Sequence, residues 1–305
     1  WLCREREDRV SLPASAQWPD VVAVVPARNE ADVIARSLGS VAAQDFPGNF
    51  RVVLVDDNSE DGTGAIAAGL GAGRVEVLSG APLATGWTGK LWALSQGIAA
   101  AGAPKYLWLT DADIEHAPNT QQRMVSIAEG KQRKLASFMA ELHCAGWHEK
   151  ALVTAFVHYF SMLYPFNWIN RPGSAAGAAG GCVLVEREAL EAAGGIAAIR
   201  GALIDDCALG ALIKRQGPIW LGLTHRSRSI RPYRNAGEVG AMIARSAYAQ
   251  LRYSVMVLLA VVTGLLLMFA VPVWAAMAGE GAAQILAIAA LGIMFIVALP
   301  ILRFY

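Results

Sequence analysis

Three short polar clusters in this chain have residue types and spacing that could do chemistry. They are Pro26-Ala27-Arg28-Asn29-Glu30, Asp56-Asp57-Asn58-Ser59 and Asp111-Ala112-Asp113. Asp-x-Asp puts two oxygen donors on one tight turn. That set suits Mg²⁺ or Mn²⁺, which take a few carboxylates plus phosphate oxygens instead of a full protein cage, so a diphosphate is the natural co-ligand. Each cluster also has a plainer reading. Asp57-Asn58-Ser59 could cap a helix, and Asp111 and Asp113 could be solvated turn residues.

What sets the clusters apart is the element before each one. Short β-branched runs at 21–25, 52–55, 74–78 and 106–110 read as strands, too short and too Val-rich for helices. Between them lie helical stretches; in the first, Ile34, Leu38 and Val41 recur at i, i+4, i+7 on one apolar stripe. This alternation predicts an α/β fold with a mostly parallel sheet covered on both faces by helices. In such sheets ligands bind beyond the carboxyl ends of the strands. The three clusters would line that edge, where packed carboxylates lose hydration and repel each other unless a cation or a ligand's donors offset the cost. Further on, a Gly/Ala-rich stretch at 173–181 precedes a strand at 182–186, a helix at 187–193 and a helix at 205–215.

Composition places part of the chain in lipid. Of 305 residues, 55% are hydrophobic and 17% charged, against roughly 45–50% and 25% in soluble domains. Residues 254–279 and 281–302 carry no charge, and at about 1.5 Å per residue either run exceeds a bilayer core of about 30 Å. Arg226, Arg228, Arg231, Arg234, Arg245 and Arg252 stand against a single acid, Glu238, directly before the first run. By the positive-inside rule this predicts a multi-pass protein of the inner (cytoplasmic) membrane with its polar domain in the cytoplasm. A formal net charge of +1 points to no nucleic-acid partner. Cys3, Cys144, Cys182 and Cys207 form no CxxC pair and no metal-ligand spacing with the five histidines, which predicts free thiols. The start at Trp1 and the end beside an apolar run are read as cuts that could omit further membrane helices.

Val24-Val25-Pro26-Ala27-Arg28-Asn29-Glu30, then Val55-Asp56-Asp57-Asn58-Ser59-x-Asp61-Gly62-Thr63, then the Asp111-Ala112-Asp113 DXD motif, resemble in order and spacing the nucleotide-sugar half of family 2 glycosyltransferases of the GT-A fold. The resemblance covers about residues 20–225. The Gly86-Trp87-x-Gly89-Lys90-Leu91-Trp92 stretch and the C-terminal apolar runs are similar to the bacterial hopanoid-biosynthesis-associated members. The resemblance implies that Pro26, Ala27, Arg28, Glu30, Asp56 and Asp57 hold the nucleobase and ribose. It implies that Asp111 and Asp113 bind ribose and a Mg²⁺ or Mn²⁺ ion, and that Lys90 reaches a phosphate, where a solvated helix-end lysine is the plainer alternative. The family keeps its base in an acidic pair at a helix head with Leu three residues on; Ile204-Asp205-Asp206-Cys207-Ala208-Leu209 fits, with Asp206 as base and Asp205 beside it. The plainer alternative is an acidic pair favoured by the helix dipole.

Other patterns fail. Ala84 and Leu91 stand where a P-loop needs Gly and Ser/Thr, and Gly69-x-Gly71-x-Gly73 follows a helix instead of opening one. Gln250-Leu251-Arg252-Tyr253 is one residue short of the processive Gln-x-x-Arg-Trp motif and lacks the Trp, which disfavours polymer synthesis. His225 stands where some GT-A enzymes place a third metal ligand, but reads as a surface histidine. Trp147, Tyr159, Phe160, Tyr164, Phe166 and Trp168 read as core before acceptor surface. The expected organisation is a flank at 1–19, a GT-A catalytic domain at 20–225, a basic juxtamembrane segment at 226–253, and membrane helices at 254–278 and 281–302. The expected activity is inverting transfer of a sugar, most simply from a UDP-sugar, to a membrane-presented lipid hydroxyl, with donor choice depending on the pocket around Gly180–Cys182 and Asp113. The alternatives are a polyprenyl-phosphate glycosyltransferase and an inactive membrane-anchored nucleotide-sugar binding module.

Overall fold

The computed structural model describes residues 5–11, 18–70, 73–233 and 235–304; residues 1–4, Gly71 and Arg234, which figured in the sequence reading, lie outside them. The chain divides into two compact units. One runs up to His143 and resumes at Leu163–Pro232, and the other joins Cys144–Met162 to the segment that starts at Tyr233.

Among the described residues the first unit holds eight strands: β1 (Val21–Ala27), β2 (Phe50–Asp56), β3 (Val75–Ser79), β4 (Tyr106–Leu109), β5 (Ile114–His116), β6 (Leu135–Glu141), β7 (Val183–Glu186) and β8 (Ile219–Ser229). They form one sheet in the order β3-β2-β1-β4-β7-β6-β8-β5. β1 pairs in parallel with β2 and β4, and β2 with β3. β7 runs antiparallel to both β4 and β6, β6 and β8 are parallel, and β5 is antiparallel to β8. The register sets Ala27 opposite Asp56 and Val24 opposite Leu109, so the ends of β1, β2 and β4 share one edge. Reversal at β7 brings its beginning to the same edge, since Val183 pairs with Leu109.

Helices α1 (Ala31–Ala42), α2 (Thr63–Ala68), α3 (Gly89–Ala100), α4 (Thr120–Gly130), α6 (Phe166–Ile169), α7 (Arg187–Ala192) and α8 (Asp205–Lys214) belong to this unit; α5 (Trp147–Leu163) lies almost wholly in the other. Ile34, Leu38 and Val41 of α1 are all buried, as the stripe predicted. Each apolar side chain fully withdrawn from water contributes about 1.5–3 kcal/mol. Close approach of α3 depends on Gly97, where a Cβ would lie 2.4 Å from Val24 Cγ1. The chain before the sheet is pinned too. Glu7, 3% exposed, bonds Arg123 and Arg226, and Leu223 N–H donates to Glu5 O.

The second unit is helical: α5, α9 (Ala236–Gln250), α10 (Val255–Ala278) and α11 (Gly281–Leu302). α10 and α11 are long and apolar enough to cross a membrane. Tyr159 of α5 packs edge-on against Phe269 of α10 at 6.2 Å. Of the aromatic series, Phe166 is core, whereas Trp147 and Trp168 are exposed. β8 runs to Ser229, so the basic segment expected from 226 begins inside the sheet.

Candidate active site

The loops after β1 and β2 are stitched together by polar side chains. Asn29 and Asn58 both adopt positive φ, 55° and 57°, which Asn tolerates better than most residues. Asn29 N–H donates to Ser59 Oγ at 2.9 Å, Glu60 N–H donates to Asn29 Oδ1 at 2.9 Å, and Glu30 N–H donates to Thr63 Oγ1 at 2.8 Å. Asp61 accepts from Ala31 N–H at 2.9 Å, Thr63 N–H at 3.0 Å and Thr63 Oγ1 at 2.6 Å. These bonds aim Arg28, Glu30 and Asp57 into a cavity of about 320 Å³, lined also by Lys90, Asp111 and Asp113. Asp57 is 7% exposed and faces Arg28 at 3.6 Å.

Asp56, expected among the nucleoside contacts, does not join this lining. Its carboxylate accepts from Ser59 N–H at 3.1 Å and lies over Gly64, where a Cβ would come within 2.3 Å of Oδ2. Asp56 therefore shapes the turn while Asp57 faces the cavity. The physical reason is strand alternation: adjacent residues at a strand end point to opposite faces.

Lys90, in the first turn of α3, bridges two acidic groups. Its Nζ stands 2.7 Å from Asp111 Oδ1 and 3.0 Å from Asp205 Oδ2. Burial pulls its pKa down, but Asp111 and Asp205 outweigh that and hold it well above the usual lysine range. Arg231, on the other side, contacts Glu30 and stands 3.4 Å from Asp113. Burial and the Asp111 charge push the Asp113 carboxyl up, against the opposing pull of Arg231. Glu30 is raised to about 7 by burial, with Asp113 and Asp111 adding to the rise and Arg231 opposing it.

Asp205 and Asp206 open α8, whose position rests on bare backbone. A Cβ at Gly210 would lie 2.5 Å from the Gly177 carbonyl carbon, so the helix rides directly on the Gly/Ala stretch. Asp206 Oδ2 accepts from Gly180 N–H at 2.6 Å, and Oδ1 accepts from Cys207 N–H at 2.7 Å. Burial, helped by Asp205 and opposed by Lys90, raises Asp206 to about 6. A second pocket of about 20 Å³, lined by Asp205, Asp206 and Gly180, shares Lys90 and Asp111 with the larger cavity. The acidic pair and the three strand-end clusters thus converge on one place.

As a metal site, the turn offers two hard carboxylate donors, Asp111 and Asp113. Among the described residues no cluster of three or more His, Cys, Asp or Glu could hold a metal. The donor set therefore fits Mg²⁺ or Mn²⁺ completed by ligand and water oxygens, and does not fit a closed protein cage. His225 Nδ1 stands 3.1 Å from Glu141 Oε2. Sequence reasoning missed Arg231 as a site residue, counting it only within a basic cluster, and missed Ser59, Asp61 and Thr63 as loop ties.

Comparison with known proteins agrees with this geometry. Residues 22–194, more than half of the chain, match the family described as Glycosyl transferase family 2. A stretch of 124 residues, 41% of this chain, is 33% identical to the succinoglycan biosynthesis protein ExoO of Rhizobium meliloti (strain 1021). That match spans only 34% of the relative's length. The fold is similar to that of the mannosyltransferase PcManGT from Pyrobaculum calidifontis, solved with GDP-Man and Mn²⁺, at a TM-score of 0.56 and 18% identity over 95% of this chain and 85% of that one. Mannosyl-3-phosphoglycerate synthase from Rubrobacter xylanophilus matches at a TM-score of 0.50 and 19% identity, over 77% of this chain and 74% of that one. The chain therefore belongs to glycosyl transferase family 2 and has the GT-A fold.

Proposed function

We propose that this enzyme moves a sugar, with inversion, from a nucleotide diphosphate donor to a hydroxyl presented at a membrane. The observation that carries the reading is the junction of the two pockets. Arg28, Asp57 and the Asp111–Asp113 turn line one, Asp206 lines the other, and Lys90 belongs to both. The nucleoside fits the wall of Pro26, Ala27, Arg28, Glu30 and Asp57, with the diphosphate toward Asp111, Asp113 and Lys90. A divalent cation held by Asp111 and Asp113 would neutralise charge on the leaving diphosphate. The neighbour solved with GDP-Man and Mn²⁺ supports that donor class and that type of ion. Lys90 lies between this turn and Asp205, placed to stabilise developing negative charge. Asp206 takes the proton of the attacking hydroxyl; a carboxylate raised toward neutrality is a stronger base than an ordinary one.

α10 and α11 would anchor the enzyme in the inner membrane, and the arginines before α10 favour a cytoplasmic catalytic unit. An enzyme so anchored meets acceptors at the bilayer surface, so the acceptor is a lipid, hopanoid-related on the strength of the Gly86-to-Trp92 stretch.

The test is nucleotide release from UDP- and GDP-sugars by detergent-purified protein, with native lipid extract, with and without Mn²⁺. Lipid-stimulated, Mn²⁺-dependent release, lost in Asp113→Ala and in Asp206→Asn, is expected. Release that survives Asp206→Asn would overturn the hydroxyl acceptor in favour of a phosphate, whose oxygen is already ionised. Nucleotide binding without release from any donor would overturn the transfer reading in favour of a binding module.

A further inference from the structure

A buried histidine outside the cavity connects its walls. His116 ends β5 and is 4% exposed. Its Nε2 stands 2.8 Å from Thr110 Oγ1, its Nδ1 stands 2.9 Å from Ser227 Oγ, and its ring packs on Trp108 at 4.8 Å. Thr110 Oγ1 in turn lies 2.7 Å from the Gly181 carbonyl oxygen.

The order of the hydrogens in this chain is set from its far end, the Gly181 carbonyl. A carbonyl oxygen can only accept, so Thr110 gives its single proton to Gly181. The Thr110 oxygen must then accept from His116, which carries its proton on Nε2. With the ring neutral, Nδ1 accepts from the Ser227 hydroxyl; a cationic ring would instead donate there, with Ser227 Oγ turned to Cys182 Sγ at 3.5 Å. The direction runs Ser227 to His116 to Thr110 to Gly181, and it needs a neutral ring. Burial favours that state, pushing the imidazole down to about 3.

Each end of this relay touches a different wall of the site. Thr110 immediately precedes Asp111, and with His116 it closes the base of the Asp111–Asp113 turn from both sides. Gly181 follows Gly180, whose N–H holds Asp206. Ser227 lies on β8, the chain runs on past its end to Arg231, and Ile230 N–H donates to Asp113 O at 3.0 Å. An apolar side chain of similar volume would fill the same space but would not fix the direction of any hydroxyl.

We infer that His116, as the neutral Nε2–H tautomer, is a positioning residue that sets the spacing between the Asp111–Asp113 turn, the Gly180–Asp206 contact and the segment after β8 that carries Arg231. The inference rests on the reading that these groups form the transfer site.

Two measurements test it separately from that reading. In detergent-purified full-length protein with ¹⁵N-labelled histidine, one of the five rings should show the neutral Nε2–H pattern from pH 5 to 8 and vanish in His116→Gln. A cationic ring, or an Nδ1–H tautomer at that position, overturns the relay. Second, His116→Ala, His116→Gln and Thr110→Val are compared with Trp220→Phe, a buried core change, for Tm, Mn²⁺ affinity by calorimetry and kcat in nucleotide release. His116→Ala and Thr110→Val should lose roughly ten- to a hundredfold in kcat, since misplacement of about 1 Å costs rates of that order. They should also weaken Mn²⁺ binding beyond any effect of Trp220→Phe. His116→Gln, which can still donate toward Thr110, should recover most of both. If His116→Ala fails to fold, Thr110→Val carries the comparison. Losses that follow Tm alone, or a glutamine variant no better than alanine, overturn the inference. If the unaltered enzyme releases no nucleotide from any donor, the transfer reading fails, while the tautomer and Mn²⁺ affinities still decide the role of His116.

Discussion

In the parallel half of the sheet, β3-β2-β1-β4, every strand runs the same way, and the residues that reach the site follow β1, β2 and β4 directly, with Lys90 added from the head of α3. In the other half, β7-β6-β8-β5, strands run both ways, and site residues arrive by less regular routes. Gly180 comes from before β7, Asp205 and Asp206 from the head of α8, and Arg231 from beyond β8. The first half brings its loops to one edge by topology, and bonds between neighbouring loops only fix their aim. The second has to be drawn in by specific bonds, Gly180 to Asp206, Ile230 to Asp113 and Arg231 to Glu30. The two halves should therefore fail differently: damage to the parallel half weakens donor or metal binding, and damage to the mixed half slows turnover.

The sharpest separation comes from Asp206→Asn. Removing a general base costs roughly 10²–10⁴-fold in rate, so kcat should fall by that factor while the donor Kd stays unchanged. Steady-state and equilibrium binding measurements on the same preparation check it. A proportional loss of donor binding would erase the distinction between the halves. Asp113→Ala comes next. It removes half of the two-carboxylate turn, so at limiting metal the rate should fall roughly 10²–10³-fold, the usual scale for one electrostatic partner of developing charge, and excess Mn²⁺ should restore part of it. Mn²⁺ titration should show weakened binding as well.

The contrast also explains what could be read in advance. Val-rich β1 and β2 announced themselves because a strand buried on both faces is an unbroken apolar run, and the clusters at their ends could be assigned to one edge without coordinates. β8 was not legible. Its second half alternates exposed His225 and Arg228 with buried Ser227 and Ser229, and small hydroxyl side chains inside leave no apolar period to find. They are inside because they serve polar partners, Ser227 with His116 and Ser229 with Asp113 at 3.4 Å. Reading those arginines as a juxtamembrane block hid Arg231. Asp56 and Asp57 could not be told apart for a different reason: two adjacent acids look equivalent in sequence, while at the strand end only Asp57 lines the cavity.

Arg231 tests the boundary between the halves, since it touches Glu30 of one and rises from the other. Arg231→Gln leaves both Glu30 and Asp113 without their cation. Hydrogen bonds to charged groups contribute about 1.5–3 kcal/mol, so donor KM should rise about ten- to a hundredfold, with less change in kcat. A pure kcat effect would assign Arg231 to the turnover half. Asp61→Ala should be milder. It cuts the bond from Ala31 N–H that ties the chain after β1 to the loop after β2, and two from Thr63 within that second loop, all on an exposed side chain. A several-fold rise in donor KM, kcat unchanged and a small fall in Tm are expected, because loosened loops weaken preorganised binding.

The smallest effect is the most diagnostic of which carboxylate does the work. A base must be unprotonated to act, so with Asp206 near 6, kcat/KM should fall as pH drops and reach half of its plateau at about pH 6. Glu30, raised to about 7, titrates nearby, but it lies on the donor side with Arg231. The two assignments separate by variant. Asp205→Asn removes a negative neighbour that raises Asp206, so the acidic limb should move to lower pH. Glu30→Gln should leave its midpoint where it was, even if the plateau falls. A limb that disappears with Glu30 and ignores Asp205 would place the titrating group in the parallel half and take the role of base from Asp206.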